Sequence, residues 1–405
     1  MTLTPDRLAE TNFPPSRQAA LHRLADFAPR AGRAYESGRN TDPGPDQPGA
    51  VSRLSPYTSR RLITEQEIVE TVLALHQLDA AGKYVQEVLW RTYWKGWLEL
   101  RPSVWTRFLE TRDRSRIDLA DSRALADAER GATGIEGFDD WAHELVQTGY
   151  LHNHARMWFA SIWIFTLGLP WALGADFFLR HLVDADAASN TLSWRWVAGL
   201  QTPGKTYLAT ASNIERYTEG RFAPKGLAQT AFALTEPPVG PARPLAPQMR
   251  SDLSQPFLLL VTPEDLHPES LLPVRSAVQG VVVAADPDLA WGEAGRRFSE
   301  AAADDTATRA ARHFGGPVDR IVRLSTSDLA TAAGQAGVSK IVTAFAPVGP
   351  TAQALARLAP ELALAGITLI QARRDWDDAF WPLATKGFFT LKDRIPAVLA
   401  ELGVS

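Results

Sequence analysis

EPPVGPARPLAPQMRSDLSQPFLLLV, residues 236–261, is the stretch where the chain changes character. Its first part, 236–256, carries too many prolines for a helix or a strand to persist, because each proline removes a backbone donor and fixes φ. It therefore reads as a linker. Its last part, FLLLV (257–261), opens a series of short apolar runs: VVVAA (281–285), RIVRL (320–324), KIVTAF (340–345) and ITLIQ (367–371). Alanine-rich helical segments separate these runs, and strands alternating with helices predict a parallel α/β sheet of Rossmann-like or flavodoxin-like type over 257–405. This half contains no GxGxxG fingerprint and no P-loop. Upstream of the linker, residues 1–235 read as helical. In LITEQEIVETVLALHQL (62–78), Ile63, Ile68, Val72 and Leu75 fall at helical spacing, and Thr64 with Glu67 form a capping-box pattern.

At 405 residues the chain has room for two domains. The absence of cysteine excludes disulfides, thiolate zinc sites and cysteine-held iron–sulfur clusters, and it accords with a cytoplasmic location. The N-terminus MTLTPDRLAE lacks the basic and apolar regions of a secretory signal. Residues 157–175, MWFASIWIFTLGLPWALGA, carry no charge, yet Gly168-Leu169-Pro170 divides them. They are expected to form a buried core helix and a turn rather than a membrane span. A net charge of −4 argues against a bulk polyanion binder but leaves room for a local basic groove. Thirteen tryptophans, most of them in the first half, suggest a buried aromatic system or a stacking surface.

Four motifs carry chemistry. VSRLSPY (51–57) brackets Arg53 and Leu54 with the hydroxyls of Ser52 and Ser55 just before a helix start, an arrangement that suits a phosphate and equally a plain helix cap. YVQEVLWRTYWKGW (84–97) sets Glu87, Trp90 and Arg91 on one helical face, where they could meet a base edge or form a surface Glu–Arg pair beside buried indoles. TGYLHNHARMW (148–158) places Asn153 and Met157 one turn apart; His152 and His154 diverge, which does not suit a two-histidine metal site, so no metal is expected. FFLRHLVDADAASNTLSWRWVAG (177–199) holds Asp184, Asp186 and Asn190 ahead of Trp194 and Trp196, and two carboxylates so close need donors such as Arg156.

In this order the motifs resemble the FAD-binding catalytic domain of the DNA photolyase/cryptochrome family, over about Phe13 to Phe222. The resemblance includes a Tyr-x-x-x-Arg element at Tyr35 and Arg39, the SRLSPY loop, Glu-x-x-Trp-Arg at 87–91, His-Asn-x-x-Arg-Met at 152–157, and Asp-x-Asp-x-x-x-Asn with Trp-x-Trp at 184–196. It implies an all-α FAD-binding domain followed by an α/β antenna-like domain. The family's domain order is thereby reversed, as a circular permutation would produce. The family's usual residues are replaced at Val51, Tyr150 and Thr191 and within TGIEGFDDW (133–141).

The resemblance further implies that Tyr35, Ser52, Arg53, Leu54, Ser55, Arg91, Asn153, Arg156, Asp184, Asp186 and Asn190 surround FAD. Glu87, Trp90, Asn153, Met157, Trp196 and Arg39 would hold a cyclobutane pyrimidine dimer. Trp194 and Trp171 would relay electrons to the flavin, with Trp105 the candidate for a third step. The implied activity is that of a deoxyribodipyrimidine photolyase, a light-driven carbon–carbon lyase, with damaged DNA as partner, no obligate protein partner, and an unspecified antenna chromophore. A signalling cryptochrome and a (6-4) photoproduct photolyase are the alternatives. The helical half is expected to suffice for catalysis.

Overall fold

A computed structural model describes residues 12–246, 253–271 and 275–404. Residues 1–11 and the part of the expected linker at 247–252 lie outside the described residues. From Arg17 to Tyr217 the regular elements are helices. Those that matter below are α1 (Arg17–Phe27), α2 (Ser55–Ser59), α3 (Glu65–Leu73), α4 (Leu78–Glu99), α5 (Ser103–Asp118), α6 (Asn153–Ser161), α7 (Trp171–His181) and α8 (Ala187–Val197). Residues 236–246 contain neither helix nor strand. Strands β1 (Phe257–Val261), β2 (Val278–Ala284), β3 (Val318–Ile321), β4 (Lys340–Ala344) and β5 (Thr368–Ala372) follow. With them come helices α9 (Glu293–Phe314), α10 (Thr326–Gln335), α11 (Pro350–Leu364), α12 (Asp375–Phe380) and α13 (Phe388–Lys392).

The five strands are the five apolar runs of the sequence, all parallel, in the order β3-β2-β1-β4-β5. This is the doubly wound arrangement, whose strand order reverses between β1 and β4. Alternation along β1 divides the core. Leu258 and Leu260 face α10 and α11 through Leu329, Ala333, Leu355 and Leu362. Phe257, Leu259 and Val261 belong instead to a cluster that runs through α9 into the helical half without a break. On that side α9 covers the sheet, and α7 and α1 of the helical half pack against α9.

Two glycines allow this close approach. A Cβ on Gly292, at φ +71°, would lie 2.0 Å from the carbonyl oxygen of Arg180 on α7, and one on Gly96 of α4 would lie 2.9 Å from Trp381. Buried charge closes the same interface. Arg61, itself at φ +48°, donates from Nη2 to both carboxylate oxygens of Asp377 on α12, at 2.7 and 2.8 Å. It also lies 3.6 Å from Glu65 and from Asp265, the residue that Arg374 grips with two bonds of 2.6 and 2.7 Å. The expected independence of the helical half does not match this interface: a cut in the linker would strip Arg61 of two of its three carboxylates and expose one side of the shared core.

The local expectations fare well, with two adjustments. Thr64 and Glu67 do form a reciprocal capping box. The helix read over 62–78 is two helices, α3 and α4, and His76 between them bonds the Ala28 carbonyl at 2.8 Å. The uncharged stretch 157–175 finishes α6, passes through a π-helical segment at Ile162–Thr166, turns at Gly168 and enters α7. Among the described residues no helix is long and apolar enough to cross a membrane.

Replacing Arg61 with methionine should destabilise the protein by about 3–5 kcal/mol, since it leaves Asp377, Asp265 and Glu65 buried without their common cation. Urea unfolding followed by circular dichroism checks this; a loss below about 1 kcal/mol would contradict the assignment of a buried interfacial network.

Candidate functional site

Helix α4 organises the site, because its 3.6-residue period turns Glu87, Arg91 and Lys95 to one face in three successive steps. Glu87 accepts a 2.6 Å bond from Arg39. Arg91 approaches Asp186 at 3.0 Å and Asp184 at 3.9 Å. The surface Glu–Arg pair that the spacing of Glu87 and Arg91 allowed is therefore not formed: each goes to a different partner. Lys95 Nζ, almost fully buried, lies 3.5 Å from Asp186 and 4.0 Å from Glu264 at the end of β1.

The two carboxylates take different roles. Asp184 receives Arg156 at 3.3 and 3.4 Å, while Arg156 also donates to the Leu151 carbonyl. Asp186 caps α8 by accepting the Ser189 amide at 2.7 Å. Burial alone would push its carboxyl up, but Lys95, Arg91 and the cap hold it well below the usual carboxylate range. Asn190, one turn into α8, is fixed by donating to the Ala175 carbonyl at 2.8 Å. Burial pushes the Glu87 carboxyl up, against the pull of Arg39.

The loop before α2 puts Arg53 at φ +53°, with its guanidinium 4.6 Å above the Tyr150 ring. Leu54 is buried, and Tyr35 packs against Phe27 and Tyr84. Among the described residues, the buried atoms Ser55 Oγ, Arg53 Nε and Ser189 Oγ have no hydrogen-bond partner in the protein. Unsatisfied polar atoms of this kind call for a further group. Hydroxyl and guanidinium donors, with the cations Arg91 and Lys95, suit one with several acceptor oxygens, so these residues fit FAD.

The residues expected at a lesion are partly exposed. Asn153 opens α6, Met157 follows one turn later, and Trp196 stacks on Tyr207 with centroids 5.7 Å apart. Trp90 has one face covered by Phe388 of α13, at 3.8 Å and 14°. Of the expected relay, Trp194 fits against Gly174, one turn beyond Trp171 on α7, where a Cβ would overlap the indole at 2.3 Å. Trp171 leads through Phe108 to Trp105, and Trp105 meets Trp291 edge-on at 5.7 Å. His154 bonds the Asn40 carbonyl and stacks on Trp158. Among the described residues no group of three or more His, Cys, Asp or Glu side chains could hold a metal.

Sequence reasoning missed Lys95, Trp291 and Phe388. Lys95 had a signal, its position four residues after Arg91. The other two arrive from the far side of the linker and had none.

Residues 84–224 match the family described as the FAD binding domain of DNA photolyase. A deoxyribodipyrimidine photo-lyase from Streptomyces griseus is 34% identical over 169 residues, covering 42% of this chain and 35% of that protein. One from Agrobacterium fabrum is 32% identical over 195 residues, covering 46% of this chain and 38% of that protein. A solved class III photolyase from Agrobacterium tumefaciens is 26% identical, with a TM-score of 0.44, over 53% of this chain and 45% of its own. The chain spans well under half the length of these curated relatives.

A pH prediction follows from His152, which precedes Asn153. Burial, reinforced by His154 and Arg156 and opposed by Asp42, pushes its imidazole down to about 4 from the usual 6.5. Above pH 6.5 both folded and unfolded chains carry it neutral. As pH falls toward about 4 only the unfolded chain takes the proton, so this group should remove roughly 3 kcal/mol of stability across that window. Thermal melts of wild type and His152→Gln from pH 7.5 to 4 should show a shallower decline in the variant; parallel curves would contradict the buried neutral histidine.

Proposed function

We propose that the protein, whose residues 84–224 match the FAD binding domain of DNA photolyase, is a light-driven lyase that repairs cyclobutane pyrimidine dimers in DNA. The observation that carries this reading is the division of labour along α4: Arg91 and Lys95 face Asp186 while Glu87, one turn earlier, faces Arg39. The charges that suit a cofactor and the carboxyl that suits a base edge thus share one rigid element. The proposal includes the division of the chain into a catalytic domain at 1–235, a linker at 236–256 and an antenna-like domain at 257–405.

Arg91, Asp184, Asp186 and the 52–55 loop would hold FAD, which would supply light-driven electron transfer for opening a cyclobutane ring. The protein's part is recognition and electrostatics. A dimer stacks poorly in duplex DNA, which lowers the cost of flipping it out. Trp90 and Trp196 offer apolar walls, and Asn153, Met157 and Arg39 border them. Glu87, whose carboxyl burial pushes up against the pull of Arg39, would border a pyrimidine carbonyl, where a hydrogen bond strengthens as negative charge develops. Asn190 and the Arg156–Asp184 pair would help hold the flavin, and Trp194 and Trp171 would supply electrons to it. Of the two histidines that could serve a (6-4) repair reading, His154 bonds the Asn40 carbonyl and stacks on Trp158, whereas the buried Nε2 of His152 has no hydrogen-bond partner in the protein.

Glu87→Ala should retain FAD yet lose about one to two orders of magnitude in repair yield, the value of a charge-assisted bond of ~1.5–3 kcal/mol in the splitting step. Repair per absorbed photon on a thymine-dimer oligonucleotide, with the flavin fully reduced, measures this. Equal yields in variant and wild type would remove Glu87 from the chemistry, and no repair by wild type would overturn the proposal.

A further inference from the structure

The ring of Trp90 is held by a residue nearly three hundred positions later in the chain. Phe388, the first residue of α13, lies parallel to it, with centroids 3.8 Å apart and planes at 14°. Tyr93 meets Phe388 edge-on at 5.6 Å, and Trp94 leans on Trp90 at 5.1 Å and 36°. Phe388 is 4% exposed and Trp90 only partly buried, so Phe388 is the fixed partner and the indole presents the free edge.

The segment that carries Phe388 is itself pinned to α4. The Tyr93 hydroxyl donates to the Lys386 carbonyl at 2.8 Å. Arg101 donates to the Thr385 carbonyl at 2.8 Å and approaches that of Ala384. Trp381 occupies the space left by Gly96. Leu391 and Ile395 continue the anchor into the core. An aromatic ring so anchored is not a mobile plug, and a near-parallel stack restricts the indole to one tilt.

We infer that Phe388 is a positioning residue of the dimer site: it sets the orientation of Trp90, so the wall that receives the lesion is completed by the half of the chain that follows the linker. The inference rests on the reading of Trp90 as a wall of that site. It predicts that the strand–helix half contributes to lesion discrimination without touching the lesion.

The test compares binding of a thymine-dimer oligonucleotide and its undamaged counterpart, by fluorescence anisotropy, for wild type, Phe388→Ala, Phe388→Tyr, Trp90→Ala and the Phe388→Ala/Trp90→Ala double variant. Phe388→Ala should lose about tenfold in affinity for the dimer while keeping its FAD content and its affinity for undamaged DNA. Phe388→Tyr, which preserves the flat ring, should retain dimer affinity. The double variant should bind the dimer no more weakly than Trp90→Ala alone, because the two residues act as one unit. Should Phe388→Ala fail to fold, Phe388→Leu keeps the bulk without the flat face, and a loss specific to the dimer is again expected. Tighter dimer binding by Phe388→Ala would mean that Phe388 competes with the lesion, and losses that add to those of Trp90→Ala, or fall equally on undamaged DNA, would mean a general packing role; either overturns the inference. A wild type with no preference for the dimer would instead show that the proposed function itself fails.

Discussion

Arg61 is the point on which the arrangement of the chain depends. It sits just before α3 in a left-handed backbone conformation, almost fully buried, among carboxylates drawn from both sides of the linker. Burial would by itself push its guanidinium down, yet Asp377, Glu65 and Asp265 more than offset that and keep it charged. Asp377 lies 316 residues away in sequence. A buried pair of this kind is weak evidence for net stability, since desolvation consumes much of the attraction. Its value lies in geometry: few other packings of helices on sheet could satisfy one cation and three anions together.

That constraint bears on how α4 meets the segments that follow β5, and α4 in turn positions the site. The helix lies with Gly96 under Trp381, Tyr93 under Lys386 and Trp90 under Phe388. On its other side Arg91 and Lys95 gather Asp186. The excess of cations around two acidic residues keeps Asp186 ionised and free to cap α8. The buried hydroxyls and the guanidinium nitrogen left without partners then have a clear complement in the acceptor-rich cofactor of the matched family.

Much of this was legible in the sequence because it is local. Buried parallel strands are short apolar runs bounded by breakers, and all five were placed to within a few residues. The Thr64–Glu67 box and the Arg156–Asp184 pair follow from spacing and from the need of buried carboxylates for donors. What was hidden is non-local. Nothing near Phe388 says that it stacks on Trp90, and nothing near Arg61 distinguishes it from Arg53 and Arg60. The break between α3 and α4 also escaped, and so did the contact of His76 between them with the distant Ala28 carbonyl. The third tryptophan of the relay stayed open for the same reason: Trp105 is buried, and the more exposed Trp291 beside it comes from beyond the linker.

The proposed cofactor shell draws its residues from five separate motifs. Its most direct test is to count flavin: purify the full chain, denature it, and identify and quantify what is released. About one FAD per chain, or uptake to that level on adding FAD, is the predicted result. A folded protein that carries no flavin and takes none up would contradict the account at its centre.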